Sequence, residues 1–188
     1  AGTRIIPLVI EEEKMKKVKA QTMELTGGKP ILELKPFQHK QVGIITTGNE
    51  VFHGRIQDTF TPVIVDKLAE FNAEVTDHVT WDDDDKKVTA SILDMIEKGA
   101  DIVICTGGMS VDPDDKTPLA IKNTGARIVS YGAPVLPGAM FLLAYYDRME
   151  QGKNRRTVIM GLPGCVMYAK RTIFDLVLPR VMADDEVT

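Results

Sequence analysis

The stretch Asp101-Ile102-Val103-Ile104-Cys105-Thr106-Gly107-Gly108-Met109-Ser110 decides how the chain is read. A short uninterrupted apolar run that ends in a turn is the signature of a strand buried in a sheet. Upstream, Val88, Ile92, Met95 and Ile96 recur at helical spacing up to Gly99, and Asp84 or Asp85 is placed to cap that helix. Further upstream the pattern repeats. Val42-Gly43-Ile44-Ile45-Thr46 is a second apolar run, it ends in Thr47-Gly48, and Asp58 and Thr59 can cap a helix reaching Phe71 that carries Val63, Ile64, Leu68 and Phe71. Ala73 to Thr80 alternates as a strand between the two units. Strand–helix–strand repetition of this kind predicts an α/β fold: a three-layer α/β/α domain with a mostly parallel sheet.

Downstream the same logic predicts a short helix over Pro118–Lys122 and a strand over Ala126–Ser130. A hairpin of Met140–Tyr146 with Arg156–Met160 comes next, and then a helix over Val166–Leu178 stopped by Pro179. Before residue 41 the composition differs. Arg4-Ile5-Ile6-Pro7-Leu8-Val9-Ile10 and Ile31-Leu32-Glu33-Leu34 are short, proline-interrupted apolar pieces around a charged stretch, Glu11 to Lys19, and a Gly27-Gly28 turn. They suggest a short β-rich N-terminal arm. The expected organisation is an arm or remnant of a preceding domain over 1–40, a main domain over 41–183 and a tail over 184–188.

The composition, 44% apolar and 27% charged, is that of a globular domain. The net charge of −4 argues against a nucleic-acid partner, which calls for a basic face. No apolar run approaches the roughly 18 residues that span a bilayer, so no membrane partner is expected. Two cysteines are too few for a disulfide scaffold, and the three histidines, His39, His53 and His78, are scattered. A reducing, cytoplasmic setting and a small-molecule ligand follow as expectations.

In parallel sheets ligands bind beyond the carboxyl ends of the strands. Three glycine-bearing loops fall there: Thr47-Gly48-Asn49-Glu50, Thr106-Gly107-Gly108-Met109-Ser110 and Gly161-Leu162-Pro163-Gly164. Any one of them alone is adequately explained as a turn. Together they suit a phosphate, because glycine lets backbone N–H groups approach an anion closely. The second loop continues into Asp112, Asp114 and Asp115 before Thr117-Pro118. These carboxylates could meet a hard cation such as Mg²⁺ bridging to phosphate, or orient a polar ring N–H. They could equally form a solvated loop in which Asp115 or Thr117 caps the next helix. Asp82 to Asp85 are four further carboxylates, adequately explained as a helix cap and a solvated face. Trp81 and Met109 are placed either to flank a planar ring or to join the core. Neither a Walker loop nor GxGxxG is present.

Thr47-Gly48-Asn49-Glu50 with Gly54-Arg55-Ile56 and Asp58, then Thr106-Gly107-Gly108-Met109-Ser110 with Asp115, then Leu162-Pro163-Gly164, resembles the molybdopterin-binding domain. That domain is shared by the adenylyltransferases and molybdotransferases of molybdenum-cofactor biosynthesis. The resemblance covers roughly residues 41–183. It implies that Thr106, Gly107, Gly108 and Ser110 hold the terminal phosphate of molybdopterin. It also implies that Asp115 contacts the pterin or its metal complex, and that Asp83 or Asp84 positions Mg²⁺ and a nucleotide, ATP or an adenylate. Glu50 and Asp58 would then lie near the ligand at the first loop. On this basis Asp115, Asp83 and Asp84 are the candidate catalytic residues and the candidate Mg²⁺ ligands. Thr47, Gly48, Asn49, Glu50, Asp58, Thr106, Gly107, Gly108, Met109, Ser110, Asp112, Thr117, Pro163 and Gly164 are the candidate ligand-binding residues. A homo-oligomer is implied as well.

Two departures from the family pattern bear on the activity. The Pro-Gly segment, Val135-Leu136-Pro137-Gly138-Ala139-Met140, has no basic residue where the molybdotransferases usually carry lysines. The last motif continues into Cys165-Val166 rather than Asn-Pro. Three functions therefore stay in view: an enzyme of cofactor assembly, a non-catalytic module that binds, delivers or senses the pterin, and a related domain acting on a pyridine nucleotide.

Overall fold

A computed structural model describes residues 11–29, 32–71, 73–112 and 114–188. The chain divides into two compact units, residues 1–35 and residues 36–188.

The first unit contains helix α1, Glu12–Leu25, which begins in the charged stretch to which the sequence reading assigns no element. The stretch is made of unbranched helix formers (Glu, Lys, Met, Gln) with little β-branched content, so local propensity favours a helix. Glu12 and Glu13 occupy the positive end, and Lys16 pairs with Glu12 one turn away at 2.7 Å. The predicted Gly27-Gly28 turn closes the helix. Gly27 takes a left-handed φ of +60°, and the Gly28 amide donates to the Met23 carbonyl at 2.8 Å. No strand occurs among the described residues before Gln41. The run Arg4–Ile10 and residues Pro30–Ile31 lie outside the described residues.

The second unit is the predicted three-layer α/β/α domain. Its strands are β1 (Gln41–Thr47), β2 (Glu74–Trp81), β3 (Ile102–Thr106), β4 (Arg127–Tyr131), β5 (Leu142–Glu150) and β6 (Lys153–Leu162). They form one sheet in the order β2-β1-β3-β6-β5-β4. β2, β1, β3 and β6 run parallel, while β5 is antiparallel to both β6 and β4. The expected hairpin is present and longer than predicted, its strands joined by the two residues Gln151 and Gly152. Both have positive φ, +50° and +76°, as the twist of a tight hairpin requires.

Helices cover both faces. Helices α3 (Phe60–Ala69) and α6 (Ile173–Met182) pack Ile64, Leu68, Phe174 and Leu178 against Val42, Ile44, Ile102, Ile104 and Met160. Helices α4 (Asp85–Glu97) and α5 (Thr117–Asn123) pack Val88, Ile92, Met95, Ala120 and Ile121 against Ile45, Val103, Cys105 and Ile159. Successive strand residues thus serve opposite cores, which is why these strands read as unbroken apolar runs. Helix α4 lies so close to β1 that a Cβ on Gly43 would sit 2.5 Å from Met95 Sδ.

The last helix departs from expectation. Gly164–Met167 forms a separate 3₁₀ turn, α6 starts only at Ile173, and Pro179 lies inside the helix. A capping box sets the start: the Asp175 carboxylate accepts from both the Thr172 amide and the Thr172 hydroxyl. Pro179 removes a single intrahelical donor, and the buried face Phe174, Val177, Leu178, Val181 and Met182 carries the helix through it. Asp175 is also held by buried Lys67, 2.6 Å away, which ties α3 to the start of α6. Burial opposes the Asp175 charge, but bonds from Lys67 and the Thr172 amide outweigh it and hold the carboxyl below its usual range.

At the strand-start edge both ends of this unit are tied down. The Gln38 amide donates to the Met182 carbonyl at 2.7 Å, Lys40 pairs with Asp184, and Glu186 bridges Arg127 and Arg156. Among the described residues no helix is long and apolar enough to cross a membrane.

Candidate functional site

Because β2, β1, β3 and β6 are parallel and adjacent, their carboxyl ends share one edge. Thr47 is in register with Trp81, Thr46 with Thr106, and Thr106 with Leu162. The three glycine loops and the Asp82–Asp85 run therefore emerge side by side, as the sequence reading required.

The first two loops are hooked together by buried hydroxyls. Thr47 Oγ1 donates to the Thr106 carbonyl at 3.1 Å and lies 3.2 Å from Thr117 Oγ1. Thr117 Oγ1 in turn donates to the Gly107 carbonyl at 2.9 Å. Thr47 and Thr117 are thus parts of the scaffold beneath the loop. Gly107 is obligatory there: φ is +79°, and a Cβ would fall 2.0 Å from the Thr47 carbonyl oxygen. Gly108 also has positive φ, +52°, with Thr117 Oγ1 3.0 Å from a would-be Cβ. Two successive left-handed glycines curl the backbone at the end of β3.

Asp115 closes this loop. Its Oδ2 accepts from the Ser110 amide at 2.5 Å and the Ser110 hydroxyl at 2.7 Å. Neither Asp115 nor Thr117 caps α5; Lys116 is the cap residue and makes no side-chain cap bond. Asp112 is spent locally, its carboxylate accepting from the Asp114 amide at 3.0 Å. Met109 is not on the rim. It is 3% exposed and packs in the core over Gly161, where a Cβ would lie 2.6 Å from Met109 Cε. Its side chain therefore does not flank a ligand ring.

The first loop turns through a short helix α2 (Asn49–Phe52) that leaves Gly48 at φ +143° and Asn49 and Glu50 exposed. It ends at Asp58, which joins a side-chain network with Thr46, Thr61 and His78. Asp58 Oδ1 accepts from the Phe60 and Thr61 amides at 2.9 and 3.1 Å, so Asp58 caps α3 as predicted, whereas Thr59, at the cap position, makes no side-chain cap bond. Asp58 Oδ2 accepts from the Thr61 and Thr46 hydroxyls at 2.5 and 3.1 Å, and His78 Nε2 lies 3.6 Å away. Burial opposes the Asp58 charge, but these four donors outweigh it and hold the carboxyl below the usual range. The Asp58-x-x-Thr61 spacing was the available signal; His78 joins through β2 pairing, which spacing along the chain does not reveal.

Asp83 and Asp84 follow β2 at the same edge. Asp84 caps α4 by accepting from the Lys86 and Lys87 amides, Asp82 pairs with Lys87, and Asp83 is exposed. With Asp84 committed to a cap and Asp115 to Ser110, the expected magnesium trio Asp83, Asp84 and Asp115 is not gathered. Among the described residues no three His, Cys, Asp or Glu side chains are disposed to hold a metal. A magnesium ion at this edge would need phosphate oxygens beside any one of these carboxylates to complete its shell. Trp81 is half-buried, its indole N–H donating to Ser91 at 2.8 Å. In the third loop Pro163 is buried and Gly164 opens the 3₁₀ turn. Cys105 lies wholly in the core, where burial pushes its thiol up to about 12.

Residues 43–183 match the family model described as a probable molybdopterin binding domain, and the chain belongs to that family. Among solved structures it is similar to the molybdopterin biosynthesis enzyme MoaB of Thermus thermophilus, at TM-score 0.61 and 26% identity over 75% of this chain and 91% of that one. The CinA protein of Thermoplasma acidophilum shares the fold at TM-score 0.56 and 19% identity, over 76% of this chain and 98% of that one. In sequence, a CinA-like protein of Mycobacterium tuberculosis is 35% identical over 77 residues, 41% of this chain and 18% of that relative's length.

Proposed function

We propose that this chain binds phosphorylated molybdopterin at the shared carboxyl edge of β1, β3 and β6 and acts in molybdenum-cofactor biosynthesis, in molybdate insertion or in handling of the adenylylated pterin. One observation carries this reading: the Thr47 and Thr117 hydroxyls, bonded to the Thr106 and Gly107 carbonyls, fix the left-handed pair Gly107-Gly108 beside the first loop. Loops of this type place backbone amides around an anion. The matched family and the name of the similar Thermus enzyme point to the same ligand.

In this reading the Gly107-Gly108-Ser110 loop takes the terminal phosphate. Asp115, fixed by Ser110, meets a polar edge of the pterin; Asp58 and Glu50 border the other side. The chemistry within reach is charge placement on phosphate oxygens, the usual basis of phosphoryl-type transfer. Calorimetry with molybdopterin tests the binding; incubation with adenylylated molybdopterin and molybdate tests the activity. Binding without turnover would assign the chain to pterin storage, delivery or sensing, a reading favoured by the absence of lysine from Val135–Met140.

A second reading keeps the same edge and changes the ligand to a nucleotide, such as a pyridine nucleotide, because a shared fold does not fix function. A thermal-shift screen separates the two, since ligand at about 100 times its dissociation constant adds about 2.7 kcal/mol.

A further inference from the structure

The cluster formed by Thr46, Asp58, Thr61 and His78 contains more contacts than its hydroxyl protons can supply, and with both protons given to the Asp58 carboxylate the histidine is left to donate. Five contacts lie within 3.2 Å: Thr61 and Thr46 with Asp58 Oδ2, Thr46 with Thr61, and His78 Nε2 with both hydroxyls, at 3.1 Å to Thr61 and 3.2 Å to Thr46. An ionised carboxylate only accepts, and each threonine has one proton to give. The short Thr61–Asp58 bond uses one and the Thr46–Asp58 bond the other. Both hydroxyl oxygens then have only lone pairs left to offer His78. A bare Nε2 would face two lone pairs and a carboxylate at 3.6 Å; an Nε2–H satisfies both oxygens. A further hydroxyl lies next to this group. Thr106, in register with Thr46, is completely buried, and its Oγ1 has no partner among the described residues.

We infer that His78 is a positioning residue: its Nε2–H, donated to Thr46 and Thr61, commits both hydroxyl protons to Asp58 and so fixes the end of the first loop against the sheet. The network joins β1 (Thr46), β2 (His78), the loop end (Asp58) and the first turn of α3 (Thr61), so Asp58 is held from three elements at once. Its effect on a ligand rests on the proposed role of Asp58 in binding. Loss of the imidazole frees the two hydroxyls to rotate away and loosens the carboxylate. A side chain that returns an N–H at the Nε2 position restores the order.

Two measurements test this. Long-range ¹H–¹⁵N NMR of the protein at about pH 9, above the ordinary histidine range, reads the tautomer directly. Protonated Nε2 with bare Nδ1 is expected for His78, and the opposite tautomer overturns the inference. The second measurement compares His78→Leu and His78→Gln for molybdopterin affinity alongside melting temperature. Affinity is expected to fall about tenfold in His78→Leu and to return to within about twofold of wild type in His78→Gln, with both variants folded. Unchanged affinity in His78→Leu, or no rescue by Gln, removes the positioning role. If wild type binds no molybdopterin, the proposed function fails, and the anchoring is read instead from hydrogen exchange at the Phe60 and Thr61 amides. Faster exchange in His78→Leu alone supports the inference; equal rates in all three proteins overturn it.

Discussion

Thr47 Oγ1 donates to the carbonyl oxygen of Thr106 across the ends of two neighbouring strands, 3.1 Å apart. That bond joins the loop after β1 to the loop after β3. Thr47 is 5% exposed, so neither group has water as an alternative partner. Thr47→Val keeps the shape and removes the bond. A cost of about 1–2 kcal/mol is expected, the usual penalty for a buried acceptor left unpaired. Urea denaturation measures it, and molybdopterin affinity should fall in parallel.

Gly107→Ala is a stricter test of the same junction. The new methyl would meet the Thr47 carbonyl at 2.0 Å, and backbone does not yield as a flexible side chain does. The left-handed φ adds strain. A loss of about 1–3 kcal/mol in stability is expected, with phosphate-dependent binding abolished. A variant as stable as wild type would mean that the two loops are not in contact.

For Asp115 the charge and the loop staple can be separated. In Asp115→Asn the amide oxygen can still accept from the Ser110 amide and hydroxyl, so stability should change by about 1 kcal/mol or less. Asp115→Ala removes both bonds and should cost more. If the carboxylate meets the pterin, Asn weakens binding or turnover despite the intact loop. Wild-type affinity and turnover in Asp115→Asn would leave Asp115 a purely structural residue.

Acid should weaken the domain through Asp58 and Asp175. Both carboxyls are held below the ordinary aspartate value of 3.8 in the folded protein. A depressed carboxyl adds stability that is fully present above its unfolded value. That stability is lost as pH falls through the lower folded value. Denaturation midpoints should therefore be flat near neutrality and decline below about pH 4. Asp175→Asn should flatten part of that decline while lowering stability at pH 7, since it leaves Lys67 buried without its anion.

Much of the domain was legible because its strands and helices carry strong local signals. The runs Val42–Thr46 and Ile102–Cys105 could only be central strands, and Asp84 marks the start of α4, where it accepts two amide bonds. The parallel order then forced the glycine loops to one edge. What the sequence did not reveal is tertiary. Met109 belongs to a loop by spacing but drops into the notch left by Gly161, a partner far along the chain on β6. Asp115 had a plausible local task as a cap and instead turns back to Ser110. His78 looks isolated along the chain because its partners come from other elements. The Glu11–Lys19 stretch has no element in the sequence reading, although its run of unbranched helix formers carries the helical propensity that α1 expresses.

The hairpin of β5 and β6 has a consequence for the order of assembly. Its strands meet across Gln151-Gly152, so their pairing closes almost no loop, whereas β6 reaches β3 only by enclosing everything from α5 to the hairpin turn. Loop-closure entropy favours the hairpin as an early structure and delays the β3–β6 seam. The edge proposed to bind the anion lies along that seam, so on that reading the chain completes this long-range pairing before it can recognise its ligand.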